Sequence, residues 1–145
     1  MGANDLVVWE QNKARRQTTS DYRVIAPEED AGTYQRVCDV SGDATILDQI
    51  FPHLETRGTV ILAGFYHGNV EFAFPPAFMS EANICIAAEW QPADLAAATQ
   101  LVVERAIKLD DLITHRFPAN NAAPAYETAF TDPSCLKMIL DWRSL

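Results

Sequence analysis

Two glycine-bearing turns and one glutamate are the residues whose types and placement suit chemistry. Asp39-Val40-Ser41-Gly42 closes one apolar run, Tyr34 to Val40, and Gly64-Phe65-Tyr66 follows another, Thr59 to Ala63. Glycine admits a ligand close to the backbone, where any side chain would block it. If both runs are parallel strands joined by a helix, their carboxyl ends lie side by side, which is where open α/β sheets hold ligands. Glu10 ends a third apolar run, Leu6-Val7-Val8-Trp9, and a polar stretch follows it. A carboxylate at such a strand end accepts hydrogen bonds from both hydroxyls of a nucleotide ribose, and its charge disfavours a 2'-phosphate. Arg15, a turn further on, reaches toward the same ribose or phosphate. Each feature also has a plain reading: a solvated glutamate, a solvated arginine, two ordinary turn glycines.

Other chemistries lack their residues. His53, His67 and His115 share no HxxxH or HxxE spacing, so no metal site within the chain is expected. His67, in the turn after Tyr66, is placed to touch a substrate, although loop histidines usually do nothing. There is no GxSxG, no P-loop and no catalytic-cysteine signature, so no catalytic residue is assigned. Cys38, Cys85 and Cys135 are odd in number and contain no CxxC pair, which suits free thiols in a reducing cytoplasm. Cys38 and Cys85 fall in apolar strands and are expected in the core. The 6 glycines are not clustered, so the GxGxxG loop that opens a dinucleotide fold is missing.

The elements that must position these residues read in order. Leu6 to Trp9 is a strand, and Asn12 caps a short helix through Arg16. Tyr22 to Ile25 is a strand, stopped by Pro27 and an acidic turn. Next comes the central unit: strand Tyr34–Val40, a helix with Ile46, Leu47, Ile50, Phe51 and Leu54 on one face, and strand Thr59–Ala63. Asp43 is the expected N-cap of that helix, and Gly58 the point where the chain leaves it. Val70 to Phe74 alternates until Pro75-Pro76, a helical turn spans Ala77 to Glu81, and Asn83 to Ala88 reads as a buried strand. A helix opening at Gln91-Pro92-Ala93-Asp94 carries Leu95, Leu101, Val102, Ile107 and Leu109 inward. After residue 110 come a strand at 112–117, an alanine-rich helix from Asn121 to Phe130, and an alternating run from Cys135 to Trp142. In that run Leu136, Met138, Leu140 and Trp142 share a face. Strands and helices alternate, so the class is α/β with a mostly parallel sheet.

Composition sets the outer bounds. A chain of 145 residues with 48% hydrophobic and 21% charged residues suits one globular domain. A net charge of -9 argues against nucleic acid, since phosphate binding needs a basic surface. No apolar run approaches the ~20 residues that span a bilayer, and the N-terminus has no signal-peptide pattern. A cytoplasmic protein is expected.

The stretches DVSGDATILD, GTVILAGFY, FAFPPAFMSEANICIAAEWQPADL, LITHRFP and CLKMILDWR resemble the C-terminal portion of the bacteriochlorophyllide a dehydrogenases, of the zinc-type medium-chain dehydrogenase superfamily. The likeness covers nearly the whole chain, and FAFPPAFM through AAEWQP is its specific part. It implies a Rossmann-like sheet lacking its first strand and glycine-rich loop over residues 1–110, with a segment at 111–145 that returns to a catalytic domain. It implies NAD as cofactor, a bacteriochlorophyllide as substrate, and oxidation of its 3-(1-hydroxyethyl) group to acetyl. By position, Glu10 and Arg15 match the ribose residues, and Val40, Ser41, Gly42, Ala63, Gly64 and Phe65 the two turns bordering ribose and nicotinamide. Gly2-Ala3-Asn4 matches the end of the helix after the loop. The family's catalytic domain and metal precede these segments, so this chain, read as a truncated portion, is not expected to turn over alone. The alternative is a non-catalytic module that binds another adenosyl ligand or a protein. Its unpaired sheet edge would then invite a second copy into a homodimer. A domain with no retained activity is the plainest alternative. Phe65 and Trp90 are candidates for stacking on a macrocycle.

Overall fold

The computed structural model describes residues 5–17, 22–107 and 109–143, which form two compact units. One comprises residues 31–90, and the other joins residues 1–30 to 91–145. The Gly2-Ala3-Asn4 expectation lies outside the described residues.

In the 31–90 unit, strands β3 (Tyr34–Asp39), β4 (Leu54–Leu62) and β5 (Asn83–Ile86) lie parallel in that order; β1 and β2 belong to the other unit. Asp39 pairs with Leu62, which pairs with Ile86, so the strand ends are level. The expected strand–helix–strand crossover is present, with altered bounds. Helix α1 (Leu47–Ile50) is short and passes into a 3-10 turn at Phe51–His53. Pro52 has no N–H to continue the α-helical ladder. Asp43 does not cap α1; its carboxylate accepts from Thr45 N–H (2.9 Å) and Oγ1–H (2.8 Å), which closes the preceding turn. Gly58 is not a helix exit either, because β4 already begins at Leu54 and the register shifts beyond the Tyr34–Leu54 pair. A Cβ at Gly58 would meet Leu54 Cγ at 2.7 Å and Glu55 O at 2.8 Å, so this irregular stretch admits only glycine.

The core of this unit is Ile46, Leu47, Ile50, Phe51, Leu54, Val60 and Leu62, all buried. Each contributes about 1.5–3 kcal/mol by leaving water. Phe51 also meets the Phe72 ring edge-on, with centroids 5.4 Å apart. Residues 70–73 form no strand, and Pro75-Pro76 open helix α2 (Phe74–Met79) instead of ending one. Proline suits a first helical turn, whose N–H groups have no partner. The strand at Asn83–Ile86 was expected to be buried, yet all four residues are exposed, since β5 is the edge. Cys38 and Cys85 are likewise exposed rather than in the core. Both share a row with Ile61, one residue out of phase with buried Val60 and Leu62, so they point to the opposite face.

In the other unit, β1 (Val7–Trp9) and β2 (Arg23–Ile25) pair in parallel. Trp9 Nε1–H donates to Asp30 Oδ2 at 2.6 Å, which satisfies that buried carboxylate. The segment after Asn12 is a turn followed by a 3-10 helix at Arg15–Gln17, not a longer helix. Helix α3 (Pro92–Val103) begins where expected, with Asp94 accepting from Gln91 N–H at 2.8 Å. Its inward face is not found: Leu95, Leu101, Val102, Ile107 and Leu109 are all exposed. The chain turns at Arg105, φ 56°, so Ile107 and Leu109 are not on the helix at all. Strands β6 (His115–Pro118) and β7 (Met138–Asp141) pair in parallel, and helix α4 (Ala122–Thr131), between them in sequence, packs on both. Ala125 and Cys135 are buried there, while Tyr126, Phe130, Leu136 and Trp142 stay exposed. Among the described residues every strand pairing is parallel.

Candidate functional site: two turns at the strand ends

β3 ends because Asp39 bends the chain. Its Oδ1 accepts from Ser41 N–H at 3.1 Å, a side-chain turn that substitutes for the next ladder bond. Ser41 Oγ then accepts from Asp43 N–H at 3.1 Å. Gly42 has φ +75°, a region closed to most side chains. On the neighbouring strand, Ala63 N–H donates to Asp39 O at 2.8 Å, and the chain turns through Gly64 and Phe65.

The two turns meet. A Cβ on Gly42 would stand 2.8 Å from Phe65 O, and one on Gly64 would stand 3.0 Å from Gly42 N and 3.2 Å from the Val40 carbonyl carbon. The immediate need for glycine at both positions is therefore the close approach of each turn to the other. Val40, Ser41, Gly42, Ala63, Gly64 and Phe65 are thus gathered in one place. Val40 (71% exposed) and Phe65 (81% exposed) project into solvent above them. His67 meets the Phe65 ring edge-on, with centroids 5.3 Å apart.

Glu10 and Arg15 form a second group, in the other unit. Glu10 N–H donates to Ile25 O at 3.0 Å, which extends the β1–β2 pairing by one residue. The Glu10 Oε1 accepts from Asn12 N–H at 2.7 Å, and Oε2 lies 4.0 Å from Arg15 Nη1. Arg15 Nε–H is committed to Pro133 O at 2.6 Å, which ties this turn to the C-terminal segment of the same unit.

Two residues that sequence reasoning did not assign sit under the paired turns. Asp39 is buried (7% exposed), and its Oδ2 accepts from the Tyr66 hydroxyl. Burial, then the hydrogen bond and charge of Asp39, push the Tyr66 hydroxyl up to about 12. The signal was available as an acid at a strand end, with a tyrosine just past the glycine of the next strand. Among the described residues there is no cluster of three His, Cys, Asp or Glu side chains able to hold a metal.

Parallel strands with glycine-bearing turns at their carboxyl ends define a Rossmann-like sheet, and the strand order β3-β4-β5 is that of one half of such a sheet. No family model matches the chain. In fold it is similar to an Escherichia coli CFT073 enzyme described as a short chain alcohol dehydrogenase complexed with NADH. The TM-score is 0.82 at 18% identity, covering 96% of this chain and 45% of that one.

In sequence it is similar to part of two dehydrogenases named for a bacteriochlorophyllide. It is 51% identical to the 2-desacetyl-2-hydroxyethyl bacteriochlorophyllide A dehydrogenase of Rhodobacter capsulatus, over 98% of this chain and 46% of that protein. It is 49% identical to the enzyme of the same name from Cereibacter sphaeroides, over 99% of this chain and 45% of that protein. The chain thus spans just under half the length of these relatives.

Proposed function

We propose that this chain is the cofactor-domain portion of an NAD-dependent dehydrogenase that oxidises the 3-(1-hydroxyethyl) group of a bacteriochlorophyllide to acetyl. The observation that carries this is about half identity, over nearly the whole chain, to two enzymes named for that substrate. In this reading residues 1–110 belong to the cofactor domain, residues 111–145 return to the catalytic domain, and the protein works in the cytoplasm. Among the described residues no helix is long and apolar enough to cross a membrane.

Each of the two groups of residues, taken by itself, has chemistry that suits a nucleotide. Glu10 is held at a strand end by its backbone and by Asn12, and its Oε2, 4.0 Å from Arg15 Nη1, keeps lone pairs to accept from a ribose diol. Its negative charge disfavours a 2'-phosphate, hence NAD rather than NADP. Val40, Ser41, Gly42, Ala63, Gly64 and Phe65 offer backbone polar groups at level strand ends, and the exposed Phe65 ring offers an apolar surface to a flat ring. Bound NAD supplies the hydride acceptor for the carbinol carbon, while the alcohol proton leaves separately. The groups that take that proton are assigned to the part of the relatives that this chain does not span. The chain alone is expected to bind cofactor without turnover.

The test has two parts. Calorimetric titration with NADH is expected to show saturable 1:1 binding, with NADPH much weaker. A chimera in which this chain replaces the matching part of the Rhodobacter capsulatus enzyme is expected to form NADH from the hydroxyethyl pigment. A folded but inactive chimera would overturn the substrate assignment.

A second reading is favoured by the outer edge of β5, where Ile84 (40% exposed) and Ile86 (78% exposed) lie on a strand paired on one side only. Such an edge recruits another strand, which makes the chain a homodimerising module, with or without an adenosyl ligand.

A further inference from the structure

The contacts proposed for the cofactor leave the buried acid at the end of β3 unused. Asp39 lies beneath the paired turns, and both of its oxygens are engaged: Oδ1 by Ser41 N–H at 3.1 Å, Oδ2 by the Tyr66 hydroxyl. Its carbonyl is engaged as well, by Ala63 N–H at 2.8 Å. One residue at the end of β3 therefore holds its own turn at Ser41 and both ends of the neighbouring turn, at Ala63 and Tyr66. The Tyr66 ring closes over the glycine between them, since a Cβ on Gly64 would stand 3.3 Å from Tyr66 Cζ. The same Cβ would stand 3.0 Å from Gly42 N, so the ring and the first turn confine Gly64 together.

We infer that Tyr66 is a positioning residue: through its hydrogen bond to Asp39 it locks the Gly42 and Gly64 turns against each other, and this sets the affinity of that edge for a nucleotide cofactor. The affinity part rests on the cofactor reading above, and the lock rests on the geometry alone. The physical reason is asymmetric. Removing the hydroxyl deletes a bond to an acid and leaves a buried carboxylate oxygen without a donor, which costs more than the bond contributes. The cheapest relief is for the Gly64 turn to lift and admit water to Asp39. That motion separates Phe65 O from Gly42, so both turns lose their alignment together. A raised Tyr66 hydroxyl accords with this, because burial, then the hydrogen bond to Asp39 and the charge beside it, all oppose its ionisation.

The experiment compares the unsubstituted chain with Tyr66→Phe, Asp39→Ala, Asp39→Asn and the Tyr66→Phe/Asp39→Ala double variant. Amide hydrogen exchange at Ser41 and Ala63 and the dissociation constant for NADH are measured in each, with melting temperature as the control for folding. Tyr66→Phe is expected to speed exchange at both amides, although the bonds of those amides are untouched, and to weaken NADH about tenfold. The double variant is expected to bind no worse than Asp39→Ala, as residues acting through one bond are not additive. Asp39→Asn keeps one acceptor, for Ser41 N–H, and turns toward Tyr66 an NH2 that can donate to its oxygen, so it is expected to recover part of the affinity lost in Asp39→Ala. Unchanged exchange in Tyr66→Phe, or additive losses in the double variant, would overturn the lock. Normal NADH affinity in a Tyr66→Phe chain whose exchange is raised would overturn its link to the cofactor. If the unsubstituted chain binds no NADH, the cofactor reading and the affinity part fall together, and the exchange data still decide the lock.

Discussion

At the residue scale, the two turn glycines differ in kind. Gly42 needs its hydrogen for conformation, at φ +75°, and for space, with Phe65 O at 2.8 Å. Gly42→Ala is therefore expected to cost roughly 1–3 kcal/mol, read by urea denaturation. Gly64 needs only the space, and Gly64→Ala is expected to cost less stability yet still weaken NADH binding, because Gly42 N must move. Tyr66 supplies a pH dependence with a definite sign. Its hydroxyl ordinarily ionises near 10 and here near 12, so the folded state favours the protonated form. The resulting stability is complete below about pH 10 and is lost as pH rises through about 12. Alkaline denaturation of Tyr66→Phe is expected to lack this loss when compared with the unsubstituted chain. The place of Glu10 at a strand end was legible from the apolar run before it. For Asp39 and Tyr66 the sequence offered only their places at or just past two strand ends, and their hydrogen bond followed from the β3–β4 register.

At the element scale, local chemistry located the start of α3 but not those of α1 and α2. Gln91-Pro92-Ala93-Asp94 opens α3 as read, and Asp94→Ala is expected to cost about 0.5–2 kcal/mol of helix stability, seen as lost helical circular dichroism. α1 stops early because Pro52 interrupts its ladder, a rule that was readable in the sequence but was overridden by the apolar spacing through Leu54. The Pro75-Pro76 pair also has two meanings, strand end or helix start, and only the chain beyond it chose the second. Gly58 looked like a helix exit and is instead the residue that lets β4 fold past Leu54. That role depends on a contact within the strand irregularity that no spacing rule describes.

At the scale of the whole molecule, apolar side chains remain uncovered on α3, β5 and α4, with Ile86 at 78%, Val103 at 70% and Phe130 at 83% exposure. Scattered exposed apolar residues are ordinary, but whole elements of this kind favour association. The chain carries a net charge of -9, so copies repel one another at low salt. Sedimentation is expected to show association that rises with protein concentration and strengthens with added salt, as screening removes the repulsion. A monomer across the whole range would remove the homodimer reading.

The sequence by itself determined the fold class: alternating apolar strands and helices make parallel α/β structure, and identity at about half of the positions relates the chain to two named dehydrogenases. It also marked Glu10 and both glycine turns, because strand ends and glycines are local features. Tertiary structure decided what those turns touch, which face of each strand is covered, and that Asp39 and Tyr66 hold the turns together. Register and burial arise from contacts between segments distant in sequence. Apolar periodicity says only that a face should be buried, and whether it is depends on what lies against it.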